Sequence, residues 1–171
     1  MRHLGADFED FVASRSTALL RTAILLTAGD VWAAEDLLQQ ALVRLASHWP
    51  RAREHPEAYV RRVLVNLSRD AARRRWRRPW EILMADPPSR ESETAHVLDR
   101  QPLLDALRIL PERQRAAVVL RFWEDRSVAE AADLLGCSEG TVKSNTARGL
   151  DKLRRALDPS SAAMEGSPNA D

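Results

Sequence analysis

At 171 residues with 44% hydrophobic side chains, the chain can build one ordinary core or two small ones, and its formal net charge of +1 excludes a uniformly basic nucleic-acid coat. Only 5% of residues are aromatic and strand-type runs of Val, Ile, Thr and Tyr are missing, so an all-α fold is expected. One cysteine excludes an internal disulfide, no apolar run approaches a membrane span, and MRHLGADFED lacks the apolar core of a signal peptide; a cytoplasmic protein without membrane insertion is expected.

In chain order, Phe8, Phe11, Val12, Leu19, Ala23 and Leu26 share one face of a helix expected from about Asp7 to Thr27, with Gly29 and Asp30 ending it and capping the next. The second helix, from Val31 to about Ser47, carries Trp32, Leu37, Leu38, Ala41, Leu42 and Leu45 on one side. Glu35, Asp36, Gln39 and Gln40 form an acidic, amide-rich strip on another. SHWPRAREHP then reads as a loop, and Pro56 suits the first position of a third helix. That helix turns Val60, Val63, Leu64, Leu67 and Ala71 inward and runs into the basic stretch Arg73 to Arg78, interrupted only by Trp76. Three helices make a first domain, residues 1–78.

Residues 79–101 change character. Pro87, Pro88, Ser89, Ser92 and Thr94 break periodicity, and acidic residues outnumber basic ones, which is the composition of a flexible acidic linker. A second domain of four helices is expected over 102–157: one opening at Pro102, one after Pro111 marked by Val118, Val119 and Phe122, and then a helix pair. The tail 158–171 has no basic residue and no periodicity and is expected to be disordered.

The helix pair carries the densest signal. Ser127 followed by Glu130 is a capping box, Val128, Ala131, Ala132 and Leu135 recur at helical spacing, and Gly136 supplies a left-handed corner. Ser138 caps a second helix opening at Glu139, whose buried stripe is read as Val142, Leu150, Leu153 and Leu157. Lys143, Ser144, Asn145 and Arg148 are left facing outward. Cap, small residue, corner glycine and apolar pin agree on a helix-turn-helix, which enters a major groove; a plain helical hairpin is the competing reading.

Three segments together carry a resemblance: AEDLLQQALVRLASHW (34–49), AYVRRVLVNLSRDAARRR (58–75) and LPERQRAAVVLRFWEDRSVAEAADLLGCSEGTVKS (110–144). In this order and at these separations the chain resembles the extracytoplasmic-function (ECF) sigma factors of bacterial RNA polymerase, within the sigma-70 family, and among them the actinobacterial SigE-like group. The resemblance implies a factor that binds core polymerase and directs promoter recognition, DNA melting and transcription initiation. It implies that Glu35, Asp36, Gln39 and Gln40 dock on the clamp coiled coil of the largest subunit, with Gln40 where the family more often has an acid, and that the second domain meets the polymerase flap. Arg61, Arg62, Asn66, Arg69, Arg73, Arg74 and Arg75 would face the −10 element, and the loop around Trp49 would receive an unstacked base. Thr141, Lys143, Ser144, Asn145 and Arg148 would read the −35 element, with Arg115 and Arg126 on phosphates. Asn145 and Asp151 stand where the family is commonly basic. The acidic linker is implied to thread the polymerase's basic channel, against the simpler reading of a passive tether. Trp76 and Trp80 either stack on bases or pack on the domain.

Such docking surfaces would also be open to an anti-sigma factor, which nothing in the sequence specifies. A stand-alone helix-turn-helix regulator is the principal alternative; it would share the second domain and lack the arginine-rich first one. An enzyme is the remote reading: His3, His48, His55 and His96 are scattered, no metal-ligand spacing or phosphate loop is present, and no cofactor is expected. Cys137, in the corner, is read as a small buried hydrophobe, with redox sensing as its rival.

Overall fold

The structure is a computed structural model that describes residues 5–77 and 101–158. The described part is all-helical: α1 Ala6–Leu26, α2 Val31–Ala52, α3 Pro56–Arg77, α4 Gln101–Arg108, α5 Glu112–Val118, α6 Val128–Leu135 and α7 Glu139–Leu157, with a π-helical turn, Val119–Trp123, continuing α5. The linker and tail assignments fall on residues outside this set, except that Gln101 already belongs to α4, one residue before the expected boundary, and Asp158 is the C-cap of α7.

Local signals account for most helix ends. Thr27 closes α1, Ala28 and Gly29 take positive φ (55° and 88°), and the Asp30 carboxylate accepts the Ala33 amide at 3.0 Å to start α2. The end of α2 departs from expectation. The helix continues through Pro50 to Ala52, so Trp49 is helical and not in a loop. Proline removes one backbone donor here, but tertiary packing outweighs that loss. The Trp49 ring meets Phe8 edge-on at 5.1 Å and Phe11 at 6.2 Å, and Ala52 is buried. Trp32, expected inward, is exposed.

α1, α2 and α3 pack pairwise around Leu19, Ile24, Leu37, Ala41, Leu45, Val60 and Leu64, while α5, α6 and α7 surround Ala117, Leu120, Ala131 and Val142. The two cores merge into a single buried cluster, because α3 packs on α5 and α6 and α1 packs on the π-helical turn. Phe122, expected to mark the buried side of its helix, projects to solvent from that turn, and Leu157, counted in the α7 stripe, is exposed too. Gly149 fills the stripe instead. A Cβ there would lie 2.7 Å from Val118 Cγ2 and 3.3 Å from the Gln114 carbonyl, so glycine is what lets α7 cross α5.

Candidate nucleic-acid interface

The helix-turn-helix is built by its caps. The Ser127 hydroxyl accepts the Glu130 amide at 3.1 Å, and the Glu130 carboxylate accepts the Ser127 amide at 2.8 Å, completing the capping box. The Ser127 amide, with its hydroxyl, holds the Glu130 carboxyl below the ordinary glutamate range. Gly136, at φ 60°, turns the corner, the Cys137 amide closes on the Ala132 carbonyl at 3.1 Å, and Ser138 accepts the Thr141 amide at 3.2 Å. Cys137 is half-buried against the core as a free thiol. Fully buried Val142 pins α7 onto α6.

From that frame Lys143, Ser144 and Arg148 are exposed on one side of α7. Thr141 is half-buried, its hydroxyl shared with Ser138 Oγ, and Asn145 is half-buried as well. Arg115 is placed otherwise than a phosphate contact needs: partly buried, its guanidinium donates to the Leu107 and Leu110 carbonyls at 3.3 and 3.4 Å, closing the end of α4. Arg126 pairs with Glu130 at 3.5 Å at the head of α6.

On α3, Arg62, Asn66, Arg73 and Arg74 are exposed, and Arg75 belongs to the helix by its backbone. Arg61 and Arg69 are not free. Arg61 pairs with Glu57 at 2.7 Å and with Glu124, and Arg69 donates to the Leu135 carbonyl at the end of α6. Trp49, packed on Phe8 and Phe11, is half-buried and lines a surface pocket of about 580 Å³ with Asp10, Phe11 and Arg53. Trp76 and Trp80 are outside the described side chains. The docking strip on α2 has Asp36 and Gln39 exposed and Glu35 and Gln40 half-buried, with Gln40 donating to Asp36 at 2.8 Å.

A cleft of about 450 Å³ joins these surfaces, lined by Arg69 and Arg73 of α3, Glu112 and Arg113 of α5, and Asn145 of α7. Burial raises the Glu112 carboxyl above its ordinary range, against the opposing pull of Arg69, Arg115, Arg113 and Arg73. Three residues that bridge the halves carry no sequence signal of that role: Thr22, Arg108 and Glu124. Charge pattern alone leaves each of them as an ordinary surface residue, because their partners lie scores of positions away. Among the described residues no group of His, Cys, Asp and Glu is placed to hold a metal, and no helix is long and apolar enough to cross a membrane.

A family model described as Sigma-70 region 2 matches residues 5–78, and one described as Sigma-70, region 4 matches residues 100–153. The RNA polymerase sigma-E factor of Streptomyces coelicolor is 41% identical over 155 residues, spanning 88% of this chain and 86% of that protein. The ECF RNA polymerase sigma factor SigM of Mycobacterium tuberculosis is 36% identical over 128 residues, spanning 72% of this chain and 64% of that protein. Among solved structures, the sigma factor RpoE of Bartonella quintana, in complex with the anti-sigma factor NepR, superposes with a TM-score of 0.69 at 27% identity, over 90% of this chain and 98% of that one.

Proposed function

Since the chain belongs to the ECF sigma factors of the sigma-70 family and so directs transcription initiation, we propose a division of labour among its helices. The first domain, 1–78, docks core polymerase through Glu35, Asp36, Gln39 and Gln40 of α2. The same domain opens the −10 element with Arg62, Asn66, Arg73 and Arg74 of α3, joined by Arg61 and Arg69 once these leave their present partners. The second domain reads the −35 element with Lys143, Ser144, Asn145 and Arg148 of α7. The factor is a DNA-binding initiation factor and not a catalyst, working in the cytoplasm on the nucleoid, and an anti-sigma protein is a fitting antagonist for the same surfaces.

The observation that carries this reading is the two-sidedness of α7. It buries Val142, Gly149 and Leu153 and leaves Lys143, Ser144 and Arg148 in solvent, where lysine and arginine can reach guanine edges in a major groove. The docking half is tested by Asp36→Arg combined with Gln40→Arg. Both side chains lie on the polar side of α2, so helix content by circular dichroism is expected to stay at the wild-type level while co-purification with core polymerase is lost. A doubly changed protein that still forms holoenzyme would remove the α2 assignment.

A further inference from the structure

We propose that in the free chain the second domain is the occluding partner of the first, held shut by a latch at Glu124. This deepens the reading above and rests on it, since the closure ties up Arg61 and Arg69 of α3 and fixes α3 close to α7. Glu124 succeeds the π-helical turn, where the Glu124 amide reaches back to the Val119 carbonyl at 3.0 Å and the Arg126 amide to the Leu120 carbonyl at 2.9 Å. Such turns insert an extra residue and re-aim the side chains beyond them. Here the result is that the Glu124 side chain, 6% exposed, points into the first domain. There it accepts hydrogen bonds from the Thr22 hydroxyl and from Arg61 Nε, whose own side chains are nearly out of solvent, Thr22 at 2% and Arg61 at 14%. A carboxylate so buried is tolerable only with a cation and a donor on it. Both belong to the other domain.

Two further contacts close the same seam. Arg69 of α3 covers the Leu135 carbonyl, an acceptor at the end of α6 that lacks an intrahelical donor. Arg108 of α4 donates through Nε to the Ala28 carbonyl at 3.1 Å, and Leu104 sits against Gly29 so closely that a Cβ on that glycine would lie 3.3 Å from Leu104 Cδ1. Every one of these bonds joins residues from opposite sides of the 78–100 segment.

The consequence is geometric. Elements at −10 and −35 lie roughly 25 base pairs apart, about 85 Å of duplex at ~3.4 Å per step. In the closed form Arg69, Arg73 and Asn145 line one cleft, so α3 and α7 are held too close together to reach sites that far apart. The 23 residues of 78–100 could span up to about 80 Å if extended, which together with the width of the two domains is enough to reach both elements. Opening also releases Arg69 and leaves Arg61 paired with Glu57, both arginines being cations assigned to melting.

The test uses the full chain in two altered forms with opposite changes in net charge: Glu124→Ala, and Thr22→Val combined with Arg108→Ala. A single compact body of this length has a radius of gyration of about 16 Å. Small-angle scattering is expected to put the wild type near that value and both altered forms well above it, with helix content retained by circular dichroism. Binding to a 30-base-pair mixed-sequence duplex is expected to tighten about tenfold in both, as the open fraction rises. The slope of log affinity against log salt should steepen by about one contact's worth, for Arg69. Agreement between the two forms separates opening from net charge. A wild type already extended overturns the closure, as do altered forms that stay compact with unchanged duplex binding; if one form loses helix, the other decides alone. Holoenzymes made with either form should initiate as the wild type does. A wild-type holoenzyme that fails to initiate would count against the proposed function, whereas compactness that ignores Glu124 counts against the latch alone.

Discussion

α3 and α7 are similar in length, 22 and 19 residues, and in design, each with aliphatic residues along one side and arginine, lysine or asparagine along the other. They differ in how the rest of the chain treats that polar side. On α7, Lys143, Ser144 and Arg148 stand in solvent, and the helix is held from behind by Val142, Gly149 and Leu153. On α3 the polar side is divided: Arg62, Asn66, Arg73 and Arg74 are exposed, but Arg61 and Arg69 are bound to the second domain. The difference teaches that an arginine on a basic helix is not necessarily a free cation. Its availability depends on whether a distant carboxylate or carbonyl has already claimed it.

The two helices should diverge most at a promoter. Changing Lys143, Ser144 and Arg148 together to alanine should weaken recruitment of holoenzyme to duplex promoter at least tenfold, because each base contact contributes about 1–3 kcal/mol of discrimination. Strand opening in complexes that do form should survive. Changing Asn66, Arg73 and Arg74 to alanine should spare recruitment and depress opening, and a pre-melted bubble template should restore it. Permanganate reactivity of thymines near the start site, on duplex and bubble, reads both sets; equal defects on both templates would erase the distinction between the helices.

A smaller effect probes how each helix is held. Gly149→Leu gains helix propensity of roughly 1 kcal/mol but forces a side chain into the Val118 and Gln114 contact, an overpacking of about 3 kcal/mol, for a net loss near 2 kcal/mol in denaturant unfolding. Asn66→Ala on exposed α3 should stay within about 0.5 kcal/mol. Equal costs at the two sites would mean that α7 is not seated by close approach. Smaller again, Ser138→Ala removes the α7 cap and should cost about 1 kcal/mol, seen as faster hydrogen exchange at the Thr141 amide.

How much of this architecture is legible in the sequence depends on range. The capping box, the Gly136 corner and the Ser138 cap involve residues within three or four positions of one another, and all stand where the sequence pattern puts them. The end of α2 is not legible, because Pro50 is a strong local stop signal and only the aromatic contacts of Trp49 with Phe8 and Phe11, about forty residues back, outweigh it. The π-helical turn and the Glu124 latch are hidden for the same reason: an acid after an aromatic pair says nothing until Thr22 and Arg61 are brought beside it. Arg115 resembles a phosphate ligand by type, but in the fold it closes α4.

The smallest effect lies in the cleft between the two helices. Glu112 sits there with one carboxylate oxygen buried and without a hydrogen-bond partner, and burial raises its pKa although Arg69, Arg115, Arg113 and Arg73 pull the other way. A group whose folded pKa lies above its unfolded one binds its proton more tightly when folded. Its favourable contribution is therefore complete below the unfolded pKa and is lost as pH rises through the folded one. At neutral pH the ionised carboxylate is thus a liability that a neutral isostere would lack. Glu112→Gln is expected to be more stable than the wild type at pH 7, with the gap shrinking as pH falls through the titration of Glu112, measured by urea unfolding at several pH values. A gap that widens toward acid would mean that the four arginines win over desolvation. Glu112 would then be a counter-ion binding the α3 cations in place, and Arg73 would have to be counted with Arg61 and Arg69 among those already claimed.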